Sequence, residues 1–154
     1  MEKLFIYYSY TGNGDVVADF LKEKEYEIRQ VVRKKKLPKS FFWGIMTGGF
    51  LAGIHHKDKL VGFDANIEEY DEIMIGSPIW NGRISSPVNM ALSILKQNGL
   101  SSKKVSFIFY AGSGEGKKAL KRINKEFPEA KVFFLKEPKK YPEELEKLGK
   151  RLVE

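Results

Sequence analysis

Apolar positions fall into two alternating patterns along the chain. Short runs rich in apolar, β-branched and aromatic residues recur at 3–8, 26–32, 72–76, 105–111 and 130–135. Runs of this length and composition read as strands of a buried sheet. Between them, apolar residues return every three to four positions, as expected of helices with one buried face. Val16, Val17, Phe20 and Leu21 form such a face in 15–24. Val88, Ala91, Leu92 and Leu95 form one in 87–98, a basic helix is expected over 117–127, and Leu145, Leu148 and Leu152 mark a last helix from near Pro142. Ser86 reads as the N-cap of the 87–98 helix, with Pro87 at its first position and Gly99 closing it. In the last helix Glu143, Glu144 and Glu146 precede Lys147, Lys150 and Arg151, an order that complements the helix dipole.

The resulting order is β-α-β-irregular-β-α-β-α-β-α. Strands alternating with amphipathic helices predict an α/β protein: a three-layer, doubly wound, five-stranded parallel sheet in the order 2-1-3-4-5. The chain reads as one domain, 1–154, with an irregular insertion at about 33–64 between strands two and three.

In such a sheet, ligands bind where neighbouring strands send their crossovers to opposite faces, beyond the strands' carboxyl ends. Strands one and three meet that condition, and strand four adjoins them. The loop after strand one is Ser9-Tyr10-Thr11-Gly12-Asn13-Gly14. Its two glycines let the backbone turn tightly and aim N–H groups at one spot, its polar side chains add donors, and a helix start follows. This reads as a phosphate cradle built without Lys or Arg, though an ordinary glycine-rich turn is the bland alternative. No P-loop lysine follows, which argues against a nucleoside triphosphatase. The loop after strand three, Ser77–Ser86, contains Pro78, Ile79, Trp80, Asn81, Gly82 and Arg83. Trp80 either stacks on a flat ligand or fills the core; its polar surroundings favour stacking. Arg83 faces either a ring edge or solvent. The loop after strand four is Ala111-Gly112-Ser113-Gly114-Glu115-Gly116, whose spacing is not that of a dinucleotide-binding turn.

These motifs resemble those of the flavodoxin family. Ser9-Tyr-Thr-Gly-Asn-Gly14 is similar to that family's phosphate loop, Ser/Thr-x-Thr-Gly-Asn-Thr, with Gly14 where Thr is more usual. Ser77-Pro78-Ile79-Trp80 is similar to its second loop, which sets an aromatic ring against the isoalloxazine. The resemblance implies a flavodoxin-like fold and non-covalent FMN. It assigns the phosphate to Ser9, Thr11, Gly12, Asn13 and Gly14, with Tyr10 among the cofactor-binding residues of the same loop. It places the ring against Trp80, with Pro78, Ile79, Asn81 and Gly82 beside it and the backbone of Ala111, Gly112, Ser113, Gly114, Glu115 and Gly116 at its edge; Arg83 stays a cofactor-binding candidate with solvent as its alternative. No catalytic side chain and no metal are required, because the flavin carries the chemistry.

Composition narrows the picture further. The chain has no cysteine, so disulfides, thiolate metal sites and cysteine nucleophiles are excluded. It has no apolar run of about 18 residues, so no membrane span is expected. The chain enters its first strand without the pattern of a signal peptide, which points to a cytoplasmic protein. Lys and Arg total 27 against 20 acidic residues, a net charge of +7, where flavodoxins are typically acidic. That balance favours an acidic docking face on a redox partner protein. No motif for specific nucleic-acid binding accompanies it. The segment around Phe41, Phe42, Trp43, Phe50 and Leu51 reads as a flap packed on the sheet edge, with a lid or docking surface as the functional alternative. His55 and His56 are adjacent and so diverge, which disfavours a metal pair. The leading expectation is an electron-transfer flavoprotein. The alternatives are a small FMN-dependent NAD(P)H or quinone reductase, and a cofactor-free interaction domain with basic patches.

Overall fold

The computed structural model describes residues 2–33 and 59–154. Five parallel strands form the sheet: β1 (Lys3–Tyr7), β2 (Glu27–Gln30), β3 (Glu72–Trp80), β5 (Lys104–Ala111) and β6 (Lys131–Lys136). Their spatial order is β2-β1-β3-β5-β6, and a sixth, two-residue strand β4 (Arg83–Ile84) pairs antiparallel with the end of β3. Counting only the parallel strands, this is the expected 2-1-3-4-5 arrangement. Central registers bring Ile6 beside Ile75, Ile75 beside Phe107, and Phe107 beside Val132.

Alternate residues of each strand face opposite layers. Leu4, Ile6, Ile73, Ile75, Phe107 and Phe109 pack with α2 (Ser86–Lys96) and α3 (Lys117–Glu126), through Val88, Leu92, Leu95, Ala119 and Ile123. Phe5, Tyr7, Met74, Ile108, Tyr110 and Phe133 pack with α1 (Asn13–Lys22) and α4 (Glu143–Leu152), through Val17, Leu21 and Leu148. The helices after β1 and β6 therefore share one face, and those after β3 and β5 share the other. This divergence at β1 and β3 makes the switch point.

Two local readings are corrected. Ser77–Ser86 is not a loop: β3 continues to Trp80 and turns back through Asn81-Gly82 into β4. Asn81 (φ 52°) and Gly82 (φ 75°) are both left-handed, as a two-residue hairpin twisted to match its strands requires. An Asn-Gly pair between apolar residues is the sequence signal for this turn. The N-cap of α2 is Ser85, not Ser86; Ser85 is extended, and its carbonyl accepts the Asn89 amide at 2.9 Å. The buried Ser77 hydroxyl lies 2.8 Å from the Ser85 hydroxyl, so the hairpin's two ends are tied together without an unsatisfied group.

The expected flap around Phe41, Phe42, Trp43, Phe50 and Leu51, with His55 and His56, lies outside the described residues. At their margins Arg33 and Leu60 form an antiparallel bridge. Among the described residues, no helix is long and apolar enough to cross a membrane.

The layer of α2 and α3 carries a charge cluster with a pH signature. Lys96 and Arg122 both donate to the Glu126 carboxylate, Arg122 Nε at 2.6 Å, and Arg122 also donates to Asn89. Burial pushes the Glu126 carboxyl up, but the hydrogen bonds from Lys96 and Arg122 outweigh it and hold the group below its ordinary range. A carboxyl lowered on folding stabilises the native state above its unfolded pKa, and that contribution fades as pH falls through the folded value. The stability advantage of wild type over Glu126→Gln should therefore shrink as urea unfolding is repeated from neutral pH to below about pH 4.5. An advantage independent of pH would contradict it.

Candidate functional site

Strand β1 ends at a polar turn because the run of buried positions stops at Tyr8. Gly12 caps α1 with φ 96°, a left-handed conformation that a side chain would strain. The amides of Gly12 and Gly14 converge on one oxygen: both donate to Ser9 Oγ, at 3.2 and 3.0 Å. Two backbone N–H groups aimed at one point, at the N-terminus of a ten-residue helix, form an anion-accepting nest. Asn13 donates to Thr11 Oγ1 at 3.3 Å, which places both side chains at the rim.

Gly14 is glycine for a different reason. A Cβ there would lie 2.5 Å from Tyr110 Oη, 2.8 Å from Ser9 Cβ and 2.8 Å from Tyr7 Cδ2. The tyrosine ring of β5 therefore occupies the space that a threonine side chain would need. Tyr110 Oη donates to the Tyr8 carbonyl, clamping β5 to the end of β1. Burial pushes the Tyr110 phenol well up, with the nearby Tyr7 and Asp15 adding to the effect, so it stays a donor. Tyr7 donates to Asp15 on α1 at 2.8 Å and is raised likewise, by burial first and then by that carboxylate.

At the carboxyl ends of the strands lies a cavity of about 120 Å³, lined by Tyr10, Thr11, Asn13, Pro78, Ile79, Trp80, Tyr110, Ala111, Gly112 and Glu137. All three sequence-selected stretches contribute to it, as the switch-point rule requires. Ser9, Gly12 and Gly14 lie behind this lining, in the turn that shapes it. Trp80 is 4% exposed and sits edge-on to Tyr8 and Tyr10, with ring centroids 5.9 and 6.4 Å apart. The indole is thus both a core residue and part of the cleft wall.

Other selected residues stand away from this cavity. Asn81, Gly82 and Arg83 form the hairpin, whose tip docks on α3: Gly82 O accepts the Ala119 amide at 2.9 Å. Ser113, Gly114 and Glu115 continue the third loop outward, where Gly114 N–H returns to Ala111 O at 3.2 Å, and Gly116 begins α3.

Sequence reasoning missed the turn after β6. Glu137 lines the cavity, and the Lys139 amide donates to Asn13 Oδ1 at 3.0 Å. The cradle is therefore not bounded by neutral residues alone. Because α4 shares a face with α1, the chain entering α4 passes over the start of α1. The signal was Glu137-Pro-Lys-Lys at the end of the last strand, on the edge where ligands bind.

A switch-point cleft with aromatic walls, next to a turn whose amides converge on one point, is the arrangement of a candidate nucleotide site in an α/β protein. The chain belongs to the NADPH-dependent FMN reductase family, whose profile matches residues 12–140. FMN is the cofactor that membership implies, and the nest, the aromatic walls and the polar rim suit its phosphate and ring. Among solved structures, the chain is similar to a flavoprotein in complex with FMN from Lactobacillus acidophilus, at 22% identity and a TM-score of 0.64, covering 85% of this chain and 89% of that one. It is also similar to flavoproteins from Bacteroides eggerthii (16%, 0.65, 85% and 87%) and Bacteroides uniformis (20%, 0.64, 85% and 88%). At these identities the likeness establishes the flavodoxin-like fold. No curated protein sequence matches the chain significantly.

Proposed function

We propose that the protein is an FMN-dependent oxidoreductase that draws electrons from a reduced nicotinamide, rather than a carrier passing electrons only between proteins. The match of the family profile over residues 12–140 carries this reading. FMN, when bound, supplies a two-electron acceptor. The protein's part is to bind and orient it. In this reading the amides of Gly12 and Gly14, released from Ser9 Oγ, take the phosphate together with Thr11 and Asn13. Tyr10, Pro78, Ile79 and Trp80 bound one side of the ring, and Ala111 and Gly112 present backbone groups to its edge. Hairpin residues Asn81, Gly82 and Arg83 support that wall from behind. The exposed lysines of α3, Lys117, Lys118, Lys121 and Lys125, give the surface next to the hairpin a positive field suited to an anionic nucleotide or an acidic partner.

Anaerobic mixing of the FMN-loaded protein with NADPH should bleach the visible absorbance of the oxidised flavin, with NADPH and flavin consumed in equal amounts. Retention of the oxidised spectrum with NADPH and NADH, in a protein that dithionite reduces fully, would favour the electron carrier instead.

A further inference from the structure

We infer that Lys139 is a binding residue for the FMN phosphate, and that the turn carrying it makes the site selective for the phosphorylated flavin. The inference rests on the FMN reading of the cleft. Lys139 lies 126 positions after Asn13 in the chain, yet its amide hydrogen-bonds the Asn13 side chain. Its own side chain lies along the phosphate turn. A methyl group built on Gly12 would stand 3.0 Å from Lys139 Nζ and 3.1 Å from its Cδ. The ammonium therefore lies beside the backbone of Gly12, whose N–H is one of the two that form the nest. Among the described residues, no carboxylate pairs with it.

The turn that brings it there is costly in local terms. Glu137 has φ 38°, a left-handed conformation for a residue with a side chain. Its carbonyl accepts both the Lys140 and the Tyr141 amides at 2.9 Å, and its own amide is given to Ala111 O at 3.3 Å. A strained residue at the cleft wall, held by three backbone hydrogen bonds, fixes the direction in which Lys139 leaves the turn. The same turn contributes to both parts of the site: Glu137 lines the cavity, and the Lys139 side chain lies beside Gly12. An ammonium beside a phosphate dianion adds a charge-assisted contact that neutral amides cannot match. Riboflavin, which has no phosphate, gains nothing from it.

The test is titration of the apoprotein with FMN and with riboflavin, followed by flavin fluorescence, for wild type, Lys139→Gln and Lys139→Arg. Both substitutions keep the backbone N–H that holds the turn to Asn13. Lys139→Gln should weaken FMN about 5- to 10-fold and change riboflavin less than about twofold, and Lys139→Arg should restore most of the loss. Added salt should weaken FMN binding more in wild type than in Lys139→Gln. An unchanged FMN-to-riboflavin affinity ratio in Lys139→Gln would overturn the inference and leave the FMN site standing. Failure of folded wild-type protein to bind either flavin would instead sink the FMN site, and the inference with it.

Discussion

Truncating Trp80 to alanine is expected to destabilise the protein by about 3–5 kcal/mol even without ligand. The indole is 4% exposed, and its removal strips the edge-on contacts to Tyr8 and Tyr10. Each such aromatic pair contributes roughly 0.5–1.5 kcal/mol beyond buried area. The loss is a large share of the roughly 5–15 kcal/mol that holds an ordinary domain together. Denaturant unfolding of the apoprotein measures it directly. A tryptophan whose only role was to stack on the flavin would behave otherwise, lowering FMN affinity while leaving apoprotein stability near wild type. Trp80→Phe separates the roles further, because it keeps an aromatic ring in the wall while leaving a smaller void.

The second large effect is expected at Gly14. Threonine is the more usual residue there in the flavodoxin phosphate loop, so by family pattern alone Gly14→Thr would improve the site. The packing says the reverse. The new Cβ would meet Tyr110 Oη at 2.5 Å and two further side-chain carbons at 2.8 Å. Relief of glycine in a helix returns at most about 1 kcal/mol. Overpacking at a site this crowded costs about 3 kcal/mol, and should lower Tm by roughly 6–12 °C. The double variant Gly14→Thr with Tyr110→Phe should recover part of the loss, since the closest clashing atom is gone while the 2.8 Å contacts remain. Thermal unfolding of the four proteins gives the coupling between the two positions. Additive effects would mean that Tyr110 does not fill the space Gly14 leaves open.

These two positions show how far the sequence could be read. The glycine at 14 is visible in the sequence only as a departure from the flavodoxin motif. Its cause is a tyrosine 96 positions later that the fold places against it. Trp80 was set in a polar, turn-rich stretch, which favoured an exposed stacking residue. The Asn81-Gly82 hairpin folds that stretch back as β4 and buries most of the indole while leaving it in the cavity wall. The turn signal was present, but the burial follows from where Tyr8 and Tyr10 sit once β1 and β3 are neighbours.

The amino-acid pattern by itself determined the element types, the parallel sheet and the sheet edge at which the selected turns meet. Those features depend on periodicity and on short-range turn chemistry, which are written locally. The pairing of α1 with α4 on one face was decided only by the tertiary structure. That pairing carries Lys139 and Glu137 to the turn after β1, and residues so far apart in sequence acquire a common environment only when the layers close over the sheet.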